Sequence, residues 1–138
     1  MKQGFVKVAS ATPRIRVADP VYNAQVICEQ AKEAAEHGAK IVVFPELCIT
    51  GYTCNDLFLQ ELLLEKAKEA LLTIAEETGQ LETLFLVGLP VDKDGRLYNV
   101  AAVLYRGRIL GMIPKKNIPM YAEFYEGRHF TPGEETVT

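Results

Sequence analysis

The sequence predicts an α/β fold built on a mixed sheet. Three features carry that prediction: short apolar runs rich in β-branched residues, helical stretches with an apolar stripe between them, and two turn signals that fold the second half into antiparallel strands. The chain has 138 residues, the length of one domain or of part of one.

The first segment, Phe5 to Ala11, alternates apolar and polar residues and starts a strand. After a loop with Pro13 comes Asp19-Pro20, an N-cap followed by a proline at the first helical position. The helix that follows, Val21 to His37, carries an apolar stripe through Val21, Ala24, Ile27, Cys28, Ala31, Ala34 and Ala35. His37-Gly38 closes it, with a cation near the negative helix end and a glycine suited to the left-handed C′ position.

The run Lys40 to Glu46 is short, apolar and β-branched, which predicts a strand buried on both faces and completes a βαβ unit. A second helix is expected from Asn55 or Asp56 to Thr78, ended by Gly79. Leu84 to Leu89 is a further buried strand. Asp92 to Gly95 forms a turn, Leu97 to Tyr105 a longer strand, and Arg106-Gly107-Arg108 a tight hairpin into Ile109 to Ile113. From Pro114 onward, Pro119, Tyr121, Phe124, Tyr125, Pro132 and Gly133 predict a long structured loop. No internal repeat, low-complexity tract or linker interrupts this order.

Composition narrows the function. The residues are 49% hydrophobic and 24% charged, with a formal net charge of −3 and the Lys and Arg residues scattered. Nucleic-acid binding would need a basic stripe. No stretch approaches the roughly 18 uninterrupted apolar residues of a membrane helix, and Met1-Lys2-Gln3-Gly4 lacks the apolar core of a signal peptide. A cytoplasmic protein is expected, with no nucleic acid and no membrane among its partners. The three cysteines, Cys28, Cys48 and Cys54, have no paired spacing and no His cluster, so reduced thiols and no metal site are expected.

Two places stand out as candidate chemistry. Glu46 closes a run that reads as a buried strand, and in α/β sheets ligands bind at the carboxyl ends of strands. A carboxylate there is a candidate general base, or else a capping residue at a strand exit. Lys115, with Lys116 beside it, follows the Ile109 to Ile113 strand. Alone it reads as a solvated surface pair, but it precedes the aromatic segment Tyr121 to Glu126, which suits a flap over a site or an interface patch.

Taken together, these segments resemble the carbon–nitrogen hydrolase (nitrilase) superfamily. Phe44-Pro45-Glu46-Leu47 with Gly51-Tyr52 is similar to its glutamate motif. Tyr105-Arg106-Gly107-Arg108 followed by Pro114-Lys115 is similar to its hairpin and lysine motif, and Phe124-Tyr125-Glu126 before Thr131-Pro132-Gly133 to its third landmark. Within the superfamily, Gly51-Tyr52-Thr53-Cys54-Asn55-Asp56-Leu57-Phe58 and the Pro119 to Glu126 segment resemble the glutaminase domain of glutamine-dependent NAD synthetases.

The resemblance implies a four-layer α-β-β-α sandwich, of which residues 1–138 would supply about half, as the N-terminal part of the domain. It also implies a Glu–Lys–Cys triad. Glu46 would be the general base and Lys115 the cation beside it, chosen over Lys116 because it follows Pro114 and precedes Pro119 by four residues, as in the motif. A free carboxylate titrates about four units below a free thiol, so an ammonium nearby would help the thiolate form. Tyr52 and Tyr121 would line the glutamine pocket, and Glu126 would be the supporting second glutamate. The family's nucleophilic cysteine lies past the Thr-Pro-Gly landmark, hence beyond Thr138. Cys28, Cys48 and Cys54 do not replace it, so residues 1–138 alone are expected to be inactive.

The missing strands would leave apolar sheet surface open to association, and homo-oligomers are implied. The implied partners are L-glutamine and a synthetase domain of the same polypeptide, which would use ATP and Mg²⁺; no cofactor is expected within these residues. Alternatives are another nitrilase-superfamily amidase or N-carbamoyl hydrolase, and a non-catalytic α/β binding module.

Overall fold

The computed structural model describes residues 4–51, 60–116 and 130–131. Local chemistry sets the first helix, α1 (Pro20–Glu36): the Asp19 side chain accepts a hydrogen bond from the Tyr22 N–H, and Pro20 occupies the first turn. Beyond its end, Gly38 takes a left-handed φ of +86°. The buried face of α1 is Pro20, Asn23, Ala24, Ile27, Cys28 and Ala31. Val21, expected on that stripe, is 58% exposed, because the helical phase is set one residue earlier by Pro20.

The strands are β1 (Val8–Ser10), β2 (Ile41–Val43), β3 (Leu84–Lys93), β4 (Arg96–Tyr105) and β5 (Arg108–Pro114), in spatial order β1-β2-β3-β4-β5. β1, β2 and β3 are parallel, whereas β3-β4-β5 is an antiparallel meander, giving the mixed sheet expected. Both hairpins turn through two residues at positive φ, Asp94-Gly95 (52° and 77°) and Arg106-Gly107 (50° and 82°), the type whose twist matches that of the strands. The second helix, α2 (Glu61–Glu77), ends at Thr78, as expected. Its expected start at Asn55 or Asp56 lies outside the described residues.

Three boundaries differ from the sequence reading. β1 starts at Val8 rather than Phe5, which is 78% exposed and makes only an isolated bridge. β2 is only three residues long, and Val43 is 45% exposed instead of buried on both faces. β3 continues past Leu89 to Lys93, because the Asp94-Gly95 turn extends the ladder as far as Lys93 opposite Arg96.

Alternation along the strands divides the sheet into two faces. Val42, Phe85, Val87, Ala102 and Leu104 join Ile27, Ala31, Ala67, Leu71 and Ile74 of the two helices in one core cluster. The other face carries Val43, Gly88, Asn99, Ala101 and Ile113, in register through the pairs Gly88 with Ala101 and Ala101 with Ile113. The described residues thus form two layers, one of helices and one of sheet. No helix among them is long and apolar enough to cross a membrane.

Asn23 is the polar exception in the helix layer. It is fully buried, donates to the Arg16 and Ile49 carbonyls at 2.8 Å each, and accepts the Arg16 N–H at 2.8 Å. It ties the loop before α1 to the segment after β2. Asn23→Ala would strand these backbone groups, so its stability to urea should fall by about 2–4 kcal/mol at an unchanged m-value. A loss below about 0.5 kcal/mol would show that Asn23 is not a brace.

Candidate active site

Glu46 is held out of the sheet by its neighbours in sequence. Phe44 makes one last ladder bond, its N–H to the Leu86 carbonyl at 2.9 Å, and Pro45 then has no N–H with which to continue. The chain turns at once: the Cys48 N–H donates to the Pro45 carbonyl (3.3 Å) and the Gly51 N–H to the Leu47 carbonyl (2.7 Å). Leu47 adopts a left-handed φ of 52°, a conformation costing a leucine about 1–2 kcal/mol. It is fully buried in a cluster with Leu63, Leu64, Leu97 and Phe130, which offsets that strain.

The turn lies directly on β3. The Ile49 N–H donates to the Gly88 carbonyl at 3.1 Å, and a Cβ at Gly88 would sit 2.4 Å from the Leu47 nitrogen and 2.8 Å from the Pro45 carbonyl oxygen. Only glycine permits this approach.

Lys115 arrives from the opposite side. Its N–H donates to the Asn99 carbonyl at 2.7 Å, extending the β4–β5 ladder one step past the pairing of Val100 with Pro114. Strand alternation places Lys115 and Asn99 on the face of Gly88, and puts Lys116 out of phase with it. The Lys115 ammonium lies 2.6 Å from Glu46 Oε1, and Asn99 Nδ2 lies 2.8 Å from the same oxygen.

The side chains of Lys115 and Glu46 are 30% and 41% exposed, and the turn after β2 lifts Glu46 into a groove. Ion pairs this wet contribute about 0–1 kcal/mol to stability. The groove has a volume of about 370 Å³; its walls include Val43, Phe44 and Gly88, and Glu46, Asn99 and Lys115 converge in it. Apolar walls with a few convergent polar groups are the usual make-up of a small-molecule site.

The structure therefore brings together Glu46 and Lys115, 69 residues apart in the chain. Tyr52, Tyr121, Glu126 and Cys54 lie outside the described residues. The chain leaves β5 with the Lys115 N–H on the Asn99 carbonyl, and the Thr131 N–H donates to the Leu97 carbonyl of β4 at 2.6 Å. Cys28 and Cys48 are buried free thiols. Burial pushes each up to about 12, and the Glu77 carboxylate adds to the effect at Cys28; neither can supply a thiolate near neutral pH. No group of three or more His, Cys, Asp or Glu that could hold a metal ion occurs among the described residues.

Sequence reasoning missed Asn99 and Gly88. Asn99 interrupts the apolar strand Leu97 to Tyr105 on the face away from the helices, and that phase was the available signal. Gly88 gave none, because its neighbour across the gap is backbone.

Fold and site together define a class: a carbon–nitrogen hydrolase. Residues 7–138 match the carbon-nitrogen hydrolase family, and the chain belongs to it. More particularly, it is 40% identical over 133 residues to the glutamine-dependent NAD(+) synthetase of Mycobacterium tuberculosis (strain ATCC 25618 / H37Rv), covering 96% of this chain and 20% of that protein. The structure of a glutamine-dependent NAD(+) synthetase from Cytophaga hutchinsonii superposes with a TM-score of 0.87 at 31% identity, over 92% of this chain and 22% of that one. The NitN amidase of Nesterenkonia sp. AN1 superposes with a TM-score of 0.77 at 25% identity, over 95% and 51%. The chain spans about a fifth of the length of the NAD synthetases it matches.

Gly88→Ala should lower stability by about 1–3 kcal/mol and move Glu46 off Lys115. A thermal melt and a crystal structure check this. An unshifted melt with the 2.6 Å contact intact would show that the turn does not need the glycine.

Proposed function

We propose that this chain is the N-terminal part of the glutamine amidohydrolase domain of a glutamine-dependent NAD synthetase, and that it carries two of the three residues of a Glu–Lys–Cys triad. The observation that carries the reading is the 2.6 Å contact between Glu46 and Lys115 in an apolar groove. The 40% identity to such a synthetase supports the choice of branch.

In this reading Glu46 draws the proton from the thiol of a cysteine beyond Thr138. The thiolate adds to the side-chain carboxamide carbon of glutamine, and the oxyanion that forms is stabilised by the Lys115 ammonium. Glu46 returns the proton to the departing nitrogen, releasing ammonia and leaving a glutamyl thioester. Glu46 then takes a proton from water, which adds to the thioester carbon; collapse frees glutamate and the thiol. Tyr52 and Tyr121 line the substrate pocket, and Glu126 supports the site.

The ammonia would pass to an ATP- and Mg²⁺-dependent synthetase domain of the same polypeptide. The residues here do not fit those groups: α1 and α2 open at Asp19-Pro20 and Gln60-Glu61 without a glycine-rich phosphate loop. No step is assigned to ATP or Mg²⁺. The free thiols of Cys28 and Cys48 suit a cytoplasmic location, and a homo-oligomer is part of the proposal.

A second reading, an amidase for other small amides, is favoured by the likeness to the NitN amidase, whose chain is covered to 51%. The higher TM-score of the NAD synthetase, 0.87 against 0.77, ranks it second.

The test is ammonia release from glutamine by the protein of the complete reading frame. Glu46→Gln and Lys115→Ala should each lower kcat by roughly 10²–10⁴-fold. Activity surviving both substitutions would overturn the triad. Hydrolysis of simple carboxamides without glutamine would move the protein to the second reading.

A further inference from the structure

We infer that Asn99 is the positioning residue that decides which oxygen of Glu46 handles the proton. The inference rests on the reading of Glu46 as the general base. Asn99 is 3% exposed on a central strand, whereas the Glu46 side chain is 41% exposed on a turn. An open carboxylate can rotate, and a lysine on its four-carbon stem attracts it without fixing its orientation. A buried carboxamide on a strand can fix it. An ionised carboxylate only accepts, so Asn99 must present its NH₂ group to Glu46.

Both hydrogen bonds that Glu46 makes among the described residues end on one atom. Asn99 Nδ2 reaches Oε1 at 2.8 Å and Lys115 Nζ reaches Oε1 at 2.6 Å. Two donors, one of them charged, occupy Oε1 and hold the plane of the carboxylate. Oε2 makes no hydrogen bond to a described residue and is the oxygen left to take the proton and return it.

Asn99 also fixes the second member of the pair, since its carbonyl accepts the Lys115 N–H at 2.7 Å. One residue thus registers both charged groups, by its side chain on one and its backbone on the other. Because its amide is neutral, it does so without altering the charge balance of the pair.

The experiment uses the protein of the complete reading frame and two substitutions of nearly the same shape. Asn99→Leu removes the donor and keeps the backbone bond to Lys115. Its kcat for glutamine should fall roughly 10–100-fold with KM within about threefold, the scale of losing alignment rather than binding. Asn99→Asp can donate from this position only while its own carboxyl is protonated, a form that the Glu46 carboxylate favours and the Lys115 ammonium opposes but that gains population as pH falls. Its activity relative to wild type should therefore rise as pH falls from about 8 to about 6.

A merely structural role would scale activity down by one factor at every pH. A flat ratio for Asn99→Asp, or a kcat for Asn99→Leu within about twofold of wild type, would overturn the inference. If wild type releases no ammonia from glutamine, the proposed function is what fails. Asn99 is then judged without substrate, by crystal structures of wild type and both variants. The inference expects Glu46 Oε1 to leave its place 2.6 Å from Lys115 Nζ when the donor is gone, and an unmoved carboxylate overturns it.

Discussion

The site depends on the contact between the turn after β2 and the backbone of Gly88. That turn must lie flat on β3 for Glu46 to face Lys115, and it can do so only where β3 has no side chain: a Cβ would stand 2.4 Å from the Leu47 nitrogen. The rest follows from this approach. Leu47 accepts a left-handed φ because its side chain is then driven into the cluster of Leu63, Leu64, Leu97 and Phe130. The Ile49 N–H reaches the Gly88 carbonyl, and Asn23 secures the Ile49 carbonyl from the helix layer. A carboxylate on an exposed turn after β2 is thereby fixed relative to the end of β5, three positions away in the sheet.

The energetics separate what holds the fold from what serves the groove. The helix face of the sheet buries Val42, Phe85, Val87 and Leu104 against α1 and α2, and each fully buried side chain of this kind contributes about 1.5–3 kcal/mol. The pair of Glu46 and Lys115, wet on both partners, adds little. Its short contact is maintained by the ladder that sets Lys115 opposite Asn99 and by the turn that lifts Glu46. The apolar packing against the helices lies on one face of the sheet, and the pair of Glu46 and Lys115 lies in the groove on the other.

Much of this was legible in the sequence because the signals were local. Asp19-Pro20, the β-branched runs and the Asp94-Gly95 and Arg106-Gly107 turns each specify their own geometry, and the elements follow one another in the expected order, with the ends of β1, β2 and β3 displaced. Glu46 and Lys115 were legible through their setting in recurrent motifs. The burial of Val21 and Val43 was misread because a stripe or an apolar run does not say where a helical phase begins or which face of a sheet is covered. Gly88 and Asn99 were missed for a different reason. Their roles exist only in contacts between segments, of Gly88 with the turn at Pro45 to Leu47 and of Asn99 with Glu46 and Lys115, and the phase of Asn99 along its strand does not name those partners.

Membership of the carbon–nitrogen hydrolase family, with residues 7–138 matched, gives this geometry its chemical context. The central claim is that Glu46 and Lys115 activate a cysteine that none of Cys28, Cys48 and Cys54 supplies. Covalent labelling of the protein of the complete reading frame with a chloroketone analogue of glutamine, followed by peptide mapping, addresses it most directly. The account predicts a single labelled cysteine beyond Thr138, and labelling slowed roughly 100-fold or more in Glu46→Gln. Label on Cys28, Cys48 or Cys54, or labelling as fast in Glu46→Gln as in wild type, would contradict it.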